Sequence, residues 1–164
     1  MQVSTRGRYA LRALLDVALH ADKGPVSRGD IAARQEISAE YIAQLFRSLA
    51  AAELVKGVKG PGGGYVLARD PRTIRVGDIV RAVEGPIAAV HCVTPDACPP
   101  CHRMDGCVAR LLWTELSQAI AEFLDAVTLQ DLCGRTGQLA DQGALPDAAT
   151  IDKAMAMAGY LYEI

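Results

Sequence analysis

Aromatic side chains make up only 5% of this 164-residue chain: two Phe, one Trp and five Tyr. Sheets draw heavily on aromatic and β-branched residues, so this scarcity, beside abundant Ala and Leu at helical spacing, points to an α-rich globular chain. No apolar run approaches the ~18 residues that a membrane span requires. The start, MQVSTRGRYALRALLDVAL, has charges inside its apolar run and lacks a small-residue cleavage site, so a cytoplasmic protein with no membrane partner is expected. Enzyme signatures are also missing. No Ser/His/Asp set or carboxylate pair stands out, and GPGGGY lacks the spacing and the lysine of a nucleotide loop. A thiol oxidoreductase of thioredoxin type needs its Cys pair inside a βαβ pattern, which is absent, so that class is only a remote alternative.

What is present supports a core, with 51% hydrophobic and 22% charged residues in a chain long enough for one domain and an extension. Charge is shared unevenly. Residues 1–69 carry 10 Lys/Arg against 6 Asp/Glu, and residues 70–164 carry 7 against 13. A locally basic region on an acidic protein suits a nucleic-acid contact face, because phosphate binding needs local cations rather than a high overall pI.

Capping residues divide the basic region into helices. Ser4 or Thr5 opens a first helix running to about Ala21, with Tyr9, Leu11, Leu14, Leu15, Ala18 and Leu19 as its apolar face, before Lys23-Gly24-Pro25 stops it. Ser27 caps a short helix with Asp30 in its first turn. Ser38 caps a third, in which Tyr41, Ile42, Leu45, Phe46 and Leu49 fall at helical spacing. The link between these two, Gln35 to Ile37, has the length of a helix-turn-helix connection. Two β-prone runs around Val55–Val58 and Tyr65–Leu67, joined by Gly60-Pro61-Gly62-Gly63-Gly64, read as a hairpin with a tight tip. The expected fold is therefore mainly α with a small β-hairpin wing: a winged helix-turn-helix over residues 1–85.

In such a fold the third helix enters the major groove and the hairpin tip reaches the backbone. The candidate DNA contacts are Ser38, Ala39, Glu40, Gln44 and Arg47 on the third helix, with Ala43 on the same side. Lys56, Lys59, Gly60, Pro61, Gly62 and Gly63 on the wing and Arg28 join them, and Arg6 and Arg8 are possible phosphate contacts. Gln suits adenine edges, Arg guanine or phosphate, and Glu a cytosine amino group.

Beyond a short helix at Val76–Val83, residues 86–107 form a Pro/Gly-rich loop, CVTPDACPPCHRMDGC, holding four of the five cysteines: Cys92, Cys98, Cys101 and Cys107. In a reducing compartment such a cluster favours metal binding or redox chemistry over structural disulfides. Zinc and iron–sulfur ligation both fit the loop, and a Cys98–Cys101 disulfide switch is a third possibility. A long amphipathic helix follows, with Leu111, Leu112, Leu116, Ile120, Phe123 and Leu124, as a dimerisation helix. A short helix opened by a Thr128/Asp131 pair completes the region 108–133, with Cys133 as a core thiol. Residues 134–164 form a tail in which Ile151–Leu161 offer one more weak amphipathic turn or two.

STRGRYALRALLDVAL, ISAEYIAQLFRSL and GPGGGYVLARDPRTIRVGDIVRAVEG, ahead of clustered cysteines and a long helix, closely resemble the bacterial winged-helix regulator family that includes IscR, NsrR and CymR. The resemblance covers roughly residues 1–133. It implies a homodimeric repressor or activator on a palindromic double-stranded operator, and it favours a two-iron or four-iron cluster over zinc. In cluster-binding members three loop cysteines bind, and Cys92, Cys98 and Cys107 match them if three residues are inserted between the last two. The fourth ligand varies. Where some relatives have a histidine this chain has Arg110, and near the start of the first helix it has Arg8 and Arg12 with no carboxylate before Asp16. The inserted segment supplies Cys101, the favoured fourth ligand, and His102, the alternative; His91 reads as an ordinary loop residue.

Overall fold

The structure, a computed structural model, describes residues 4–94 and 106–141. Helix α1 (Thr5–Leu19) opens on Ser4, whose Oγ accepts from the Arg6 and Gly7 amides, satisfying N–H groups that no helical carbonyl can reach. Five of the six residues expected on its apolar face meet the core, and Ala10, Ala13 and Val17 join them at its centre. Ala10, Ala13, Leu14 and Val17 are fully buried, whereas Tyr9, Leu11, Leu15 and Ala18 flank them and Leu19 is 40% exposed. The helix stops two residues earlier than expected, passing through His20 into a 3₁₀ turn at Ala21–Lys23.

Helices α2 (Arg28–Gln35) and α3 (Ala39–Ala51) form the helix-turn-helix. Ser27 Oγ accepts from the Asp30 amide at 3.1 Å and Ser38 Oγ from the Tyr41 amide at 3.2 Å, so each helix starts where its capping serine predicts. Between them Glu36 is left-handed (φ 55°), and Ile37 turns into the core. Ile42, Leu45, Phe46 and Leu49 bury one face of α3 against α1 and α4. Removing any of these large side chains leaves a cavity worth roughly 2–5 kcal/mol.

Strands β1 (Val55–Val58) and β2 (Gly64–Leu67) pair antiparallel with Val55 opposite Leu67 and Val58 opposite Gly64. The wing is held down twice more. Val26 and Tyr65 exchange backbone hydrogen bonds of 2.9 and 2.8 Å, and the Tyr65 ring lies 4.3 Å from that of Phe46. Helix α4 (Val76–Glu84) follows and ends at Gly85, whose φ of 89° a β-carbon would oppose.

Helix α5 (Val108–Asp125) and helix α6 (Leu129–Asp141) complete the described chain. The reciprocal cap at their junction is present: the Asp131 amide donates to Thr128 Oγ1 and the Thr128 amide to Asp131 Oδ2. Leu129 is fully buried and its amide donates to the Ile74 carbonyl. Helix α6 runs on to Asp141, past the boundary expected near residue 133. Residues through Leu132 form one compact unit, and a second begins at Cys133. The possible turn at Ile151–Leu161 lies outside the described residues. Among the described residues no helix is long and apolar enough to cross a membrane.

Candidate nucleic-acid interface and cysteine loop

Because α3 buries Ile42, Leu45, Phe46 and Leu49, helical geometry turns the intervening positions outward. Ser38, Glu40, Gln44 and Arg47 are exposed, and Ala39 and Ala43 are half-buried. Arg47 Nε donates to the Ala43 carbonyl at 3.3 Å, which lays the guanidinium back along its own helix. Ser38 already caps α3, but its hydroxyl proton can still be given to an acceptor.

The wing explains its own sequence. Gly60 and Gly62 adopt φ of 107° and 74°, and the Gly63 amide closes the tip on the Gly60 carbonyl at 2.9 Å. At Gly63 and Gly64 the reason is space. A β-carbon there would lie 2.4 Å from the Val58 carbonyl oxygen and 2.3 Å from that of Val26, respectively. Lys56, Lys59, Gly60, Pro61 and Gly62 are exposed. Arg28, distant in sequence, lines with Lys59, Gly57, Gly63 and Gly64 a concavity of about 360 Å³ at the wing base. Arg6 instead donates to Ser48 Oγ at 3.3 Å, and Arg8 borders a cleft between α1, α4 and α5.

A clasp between α1 and α2 was not legible beforehand. Asp16, only 2% exposed, accepts from Arg34 and from Gln35 Nε2, while Arg12 donates to the Gln35 carbonyl at 2.7 Å. Hydrogen bonding to Asp16 raises the Arg34 guanidinium above its ordinary pKa. An aspartate set into an apolar helical stretch is the signal that marks such a site, because a buried charge needs a partner.

Two of the four loop cysteines are described, and both meet the head of α5. Cys107 is its N-cap and accepts no side-chain cap hydrogen bond, while Cys92 sits in a short 3₁₀ turn, His91–Val93, packed on α5. Arg110 Nε donates to the Cys92 carbonyl at 3.4 Å. Further along, buried Ser117 accepts from the Ala89 amide at 2.9 Å and donates to the Trp113 carbonyl. The chain entering the loop is thus strapped along α5. Cys92 and Cys107 are half-buried free thiols, and His91 is exposed. Cys98, Cys101 and His102 lie outside the described residues. Among the described residues no three His, Cys, Asp or Glu side chains gather as a metal site. Cys133 is half-buried, and burial pushes its thiol pKa up, as for an inert core cysteine.

Helix α5 carries large apolar side chains in the open: Val108 is 78% exposed, Leu111 63%, Leu112 58% and Phe123 70%. Side chains of this size at helical spacing form an apolar face that no described residue covers.

Comparison with known proteins is consistent with this geometry. A family described as "Rrf2: Iron-dependent Transcriptional regulator" matches residues 3–135. The HTH-type transcriptional regulator IscR of Sodalis glossinidius (strain morsitans) is 46% identical over 132 residues, 80% of this chain and 78% of that one. Among solved structures, T. potens IscR matches with a TM-score of 0.69 at 36% identity, covering 91% of this chain and 95% of its own. CymR, the global cysteine regulator of B. subtilis, matches with a TM-score of 0.67 at 38% identity, covering 82% and 98%. The thiol oxidoreductase alternative is thereby set aside, and this chain belongs to the Rrf2 family of DNA-binding transcriptional regulators, which are not enzymes.

Proposed function

We propose that the chain acts in the cytoplasm as a homodimer on a palindromic operator, and that its affinity is set by an iron–sulfur cluster held by Cys92, Cys98, Cys101 and Cys107. His102 is the alternative fourth ligand. The observation that carries this reading is the double role of α5, which begins at a cysteine and exposes an apolar face along its length. The cleft of about 410 Å³ between α1, α4 and α5, lined by Leu11, Val80, Ile87, Ile120 and Leu124, adds to the apolar surface that a second copy would cover.

The described donors suit the group. Cys107 stands at the head of α5, where amides without helical acceptors remain, and its sulfur accepts no cap hydrogen bond. Arg110 holds the Cys92 backbone to the same end of the helix. When bound, the cluster supplies a cross-link that oxidation or loss of iron breaks. Cys92 and Cys107, so joined, fix the strap 86–94 and the head of α5 as one body; released, they free the strap to shift against α5. In a dimer paired through α5, that shift re-aims α3 and the wing relative to the partner's. Coupling of this kind amounts to ~1–3 kcal/mol, enough for a transcriptional switch.

Gln44 and Arg47 then read base edges, while Ser38, Arg28, Lys56 and Lys59 neutralise or bind phosphates and the Gly60–Gly63 tip approaches the backbone closely.

Anaerobic purification with iron and sulfide analysis tests the cluster, followed by operator binding of loaded and stripped protein. Iron and sulfide in equal amounts, visible charge-transfer absorption and a difference in operator affinity are expected. Zinc without sulfide would establish a structural metal instead. A metal-free protein that forms a Cys98–Cys101 disulfide on oxidation would establish a thiol switch.

A further inference from the structure

We propose that the Arg81–Asp125 ion pair, seated over Gly77, is the joint that fixes the angle between α5 and the winged helix, and so determines which half-site spacing the protein accepts. This rests on the reading of α5 as the dimer helix.

At the end of α5 remote from the cysteines, Arg81 Nη1 donates to Asp125 Oδ1 at 2.9 Å and Arg81 Nη2 donates to Asp125 Oδ2. Two parallel bonds between planar groups fix an orientation as well as a distance. Gly77 is what lets them form. A β-carbon on it would lie 1.9 Å from Asp125 Oδ1. The pair also continues toward the wing. Asp78 lies 3.7 Å from Arg81, and Arg69, two residues beyond β2, lies 4.0 Å from Asp78. Two backbone bonds close the same joint: Val76 N–H to the Val127 carbonyl at 2.9 Å, and Leu129 N–H to the Ile74 carbonyl at 2.8 Å.

Stability alone accounts poorly for this arrangement. Arg81 is 38% and Asp125 27% exposed, where an ion pair contributes little to folding. Orientation accounts for it better. Helix α5 has 18 residues, so about 27 Å separate its cysteine end from Asp125. In a two-fold dimer paired along such a rod, the angle at the joint decides how far apart the two recognition helices stand.

The test uses the full-length wild type, Arg81→Gln, Arg81→Lys and Gly77→Ala. Duplexes are palindromes selected by the wild type from a random pool, then rebuilt with spacing changed by one base pair, and single half-sites. Sedimentation gives the oligomeric state of each protein. Expected are dimeric variants with wild-type affinity for a single half-site, whose preference for the native spacing falls at least about fivefold. The double variant Arg81→Gln/Gly77→Ala loses no more than either alone. Arg81→Lys keeps the charge but not the fork, and carries the test should Arg81→Gln unfold. Dimeric variants with an unchanged spacing preference overturn the joint, as does a loss that falls equally on single half-sites. A monomeric wild type overturns the dimer reading and the joint together, and sedimentation separates that failure from the others.

Discussion

The Asp16 carboxylate, buried in α1, is gripped by the Arg34 guanidinium of α2 through hydrogen bonds of 2.9 and 2.7 Å. Gln35 Nε2 adds a third bond at 3.1 Å. The chain leaves α2 immediately after these two residues to make the turn into α3, so the grip fixes the launch point of the recognition helix. The position of Gln44 and Arg47, the proposed base contacts, therefore depends on a buried residue of another helix.

Replacing Asp16 by Ala should destabilise the fold by about 2–3 kcal/mol, at the lower edge for a broken buried pair because the Arg34 side is 36% exposed. Arg34→Met, which strips the buried carboxylate of both guanidinium bonds and leaves it the Gln35 amide, should cost at least as much. Urea midpoints at constant m-value measure both. A change below about 0.5 kcal/mol in both variants would mean that the pair is an ordinary surface contact.

The wing glycines should separate by mechanism. Gly62→Ala meets no neighbour and suffers only its left-handed backbone, about 1 kcal/mol, whereas Gly64→Ala drives a β-carbon into the Val26 carbonyl and should cost more, about 2–3 kcal/mol. Hydrogen exchange at the Val26 amide, which donates to the Tyr65 carbonyl, should accelerate in Gly64→Ala and not in Gly62→Ala. Equal behaviour of the two variants counts against the close-approach account.

Local chemistry carries the part of this fold that sequence reveals. Ser4, Ser27, Ser38 and the Thr128/Asp131 pair start helices because each satisfies orphan amides within three residues, and the wing tip follows from Gly60, Gly62 and Gly63, whose constraints are local, whereas Gly64 answers to the distant Val26 carbonyl. Packing is less visible. Large side chains place the apolar face of α1 correctly at Leu14 and its flanks, whereas Leu19 is exposed and the small Ala10 and Ala13, which hydrophobicity alone does not mark, are fully buried. Pairs such as Asp16–Arg34 and Arg81–Asp125 join helices across 18 and 44 positions, and no periodicity announces them. The candidate DNA contacts on α3 follow from the buried face opposite, and Arg28 reaches the wing only through the fold. Of the proposed metal ligands the described residues include Cys92 and Cys107, and the choice of Cys101 over His102 rests on the chemistry of thiolate ligation.

The Asp125 carboxyl is held below its usual pKa mainly by its hydrogen bonds from Arg81, with the Arg81 and Arg75 charges assisting. A depressed acid contributes stability that is complete above its unfolded pKa of about 3.9 and is lost as pH falls through the lower folded value. The stability difference between wild type and Asp125→Asn should therefore be flat from about pH 5 to 8 and shrink as the pH falls below about 4. Urea unfolding across that range measures it. A difference that grows on acidification is incompatible with a charged pair.

Recognition helix and wing should respond differently to truncation, because base edges carry sequence information and phosphates do not. Lys59, exposed on the wing beside Arg28, can neutralise one phosphate, so Lys59→Ala should weaken binding to specific and unrelated duplexes alike and lower the log–log salt slope by about 1. Gln44, exposed on α3, suits a bidentate pair with an adenine edge, so Gln44→Ala should cost about 1–3 kcal/mol on the selected operator and almost nothing on unrelated DNA. Its salt slope should stay that of the wild type. Titrating both variants against both duplexes at several salt concentrations resolves the two signatures. A Gln44→Ala protein whose losses are equal on both duplexes would place Gln44 on the backbone, and the reading of sequence would then fall to Arg47 and Glu40.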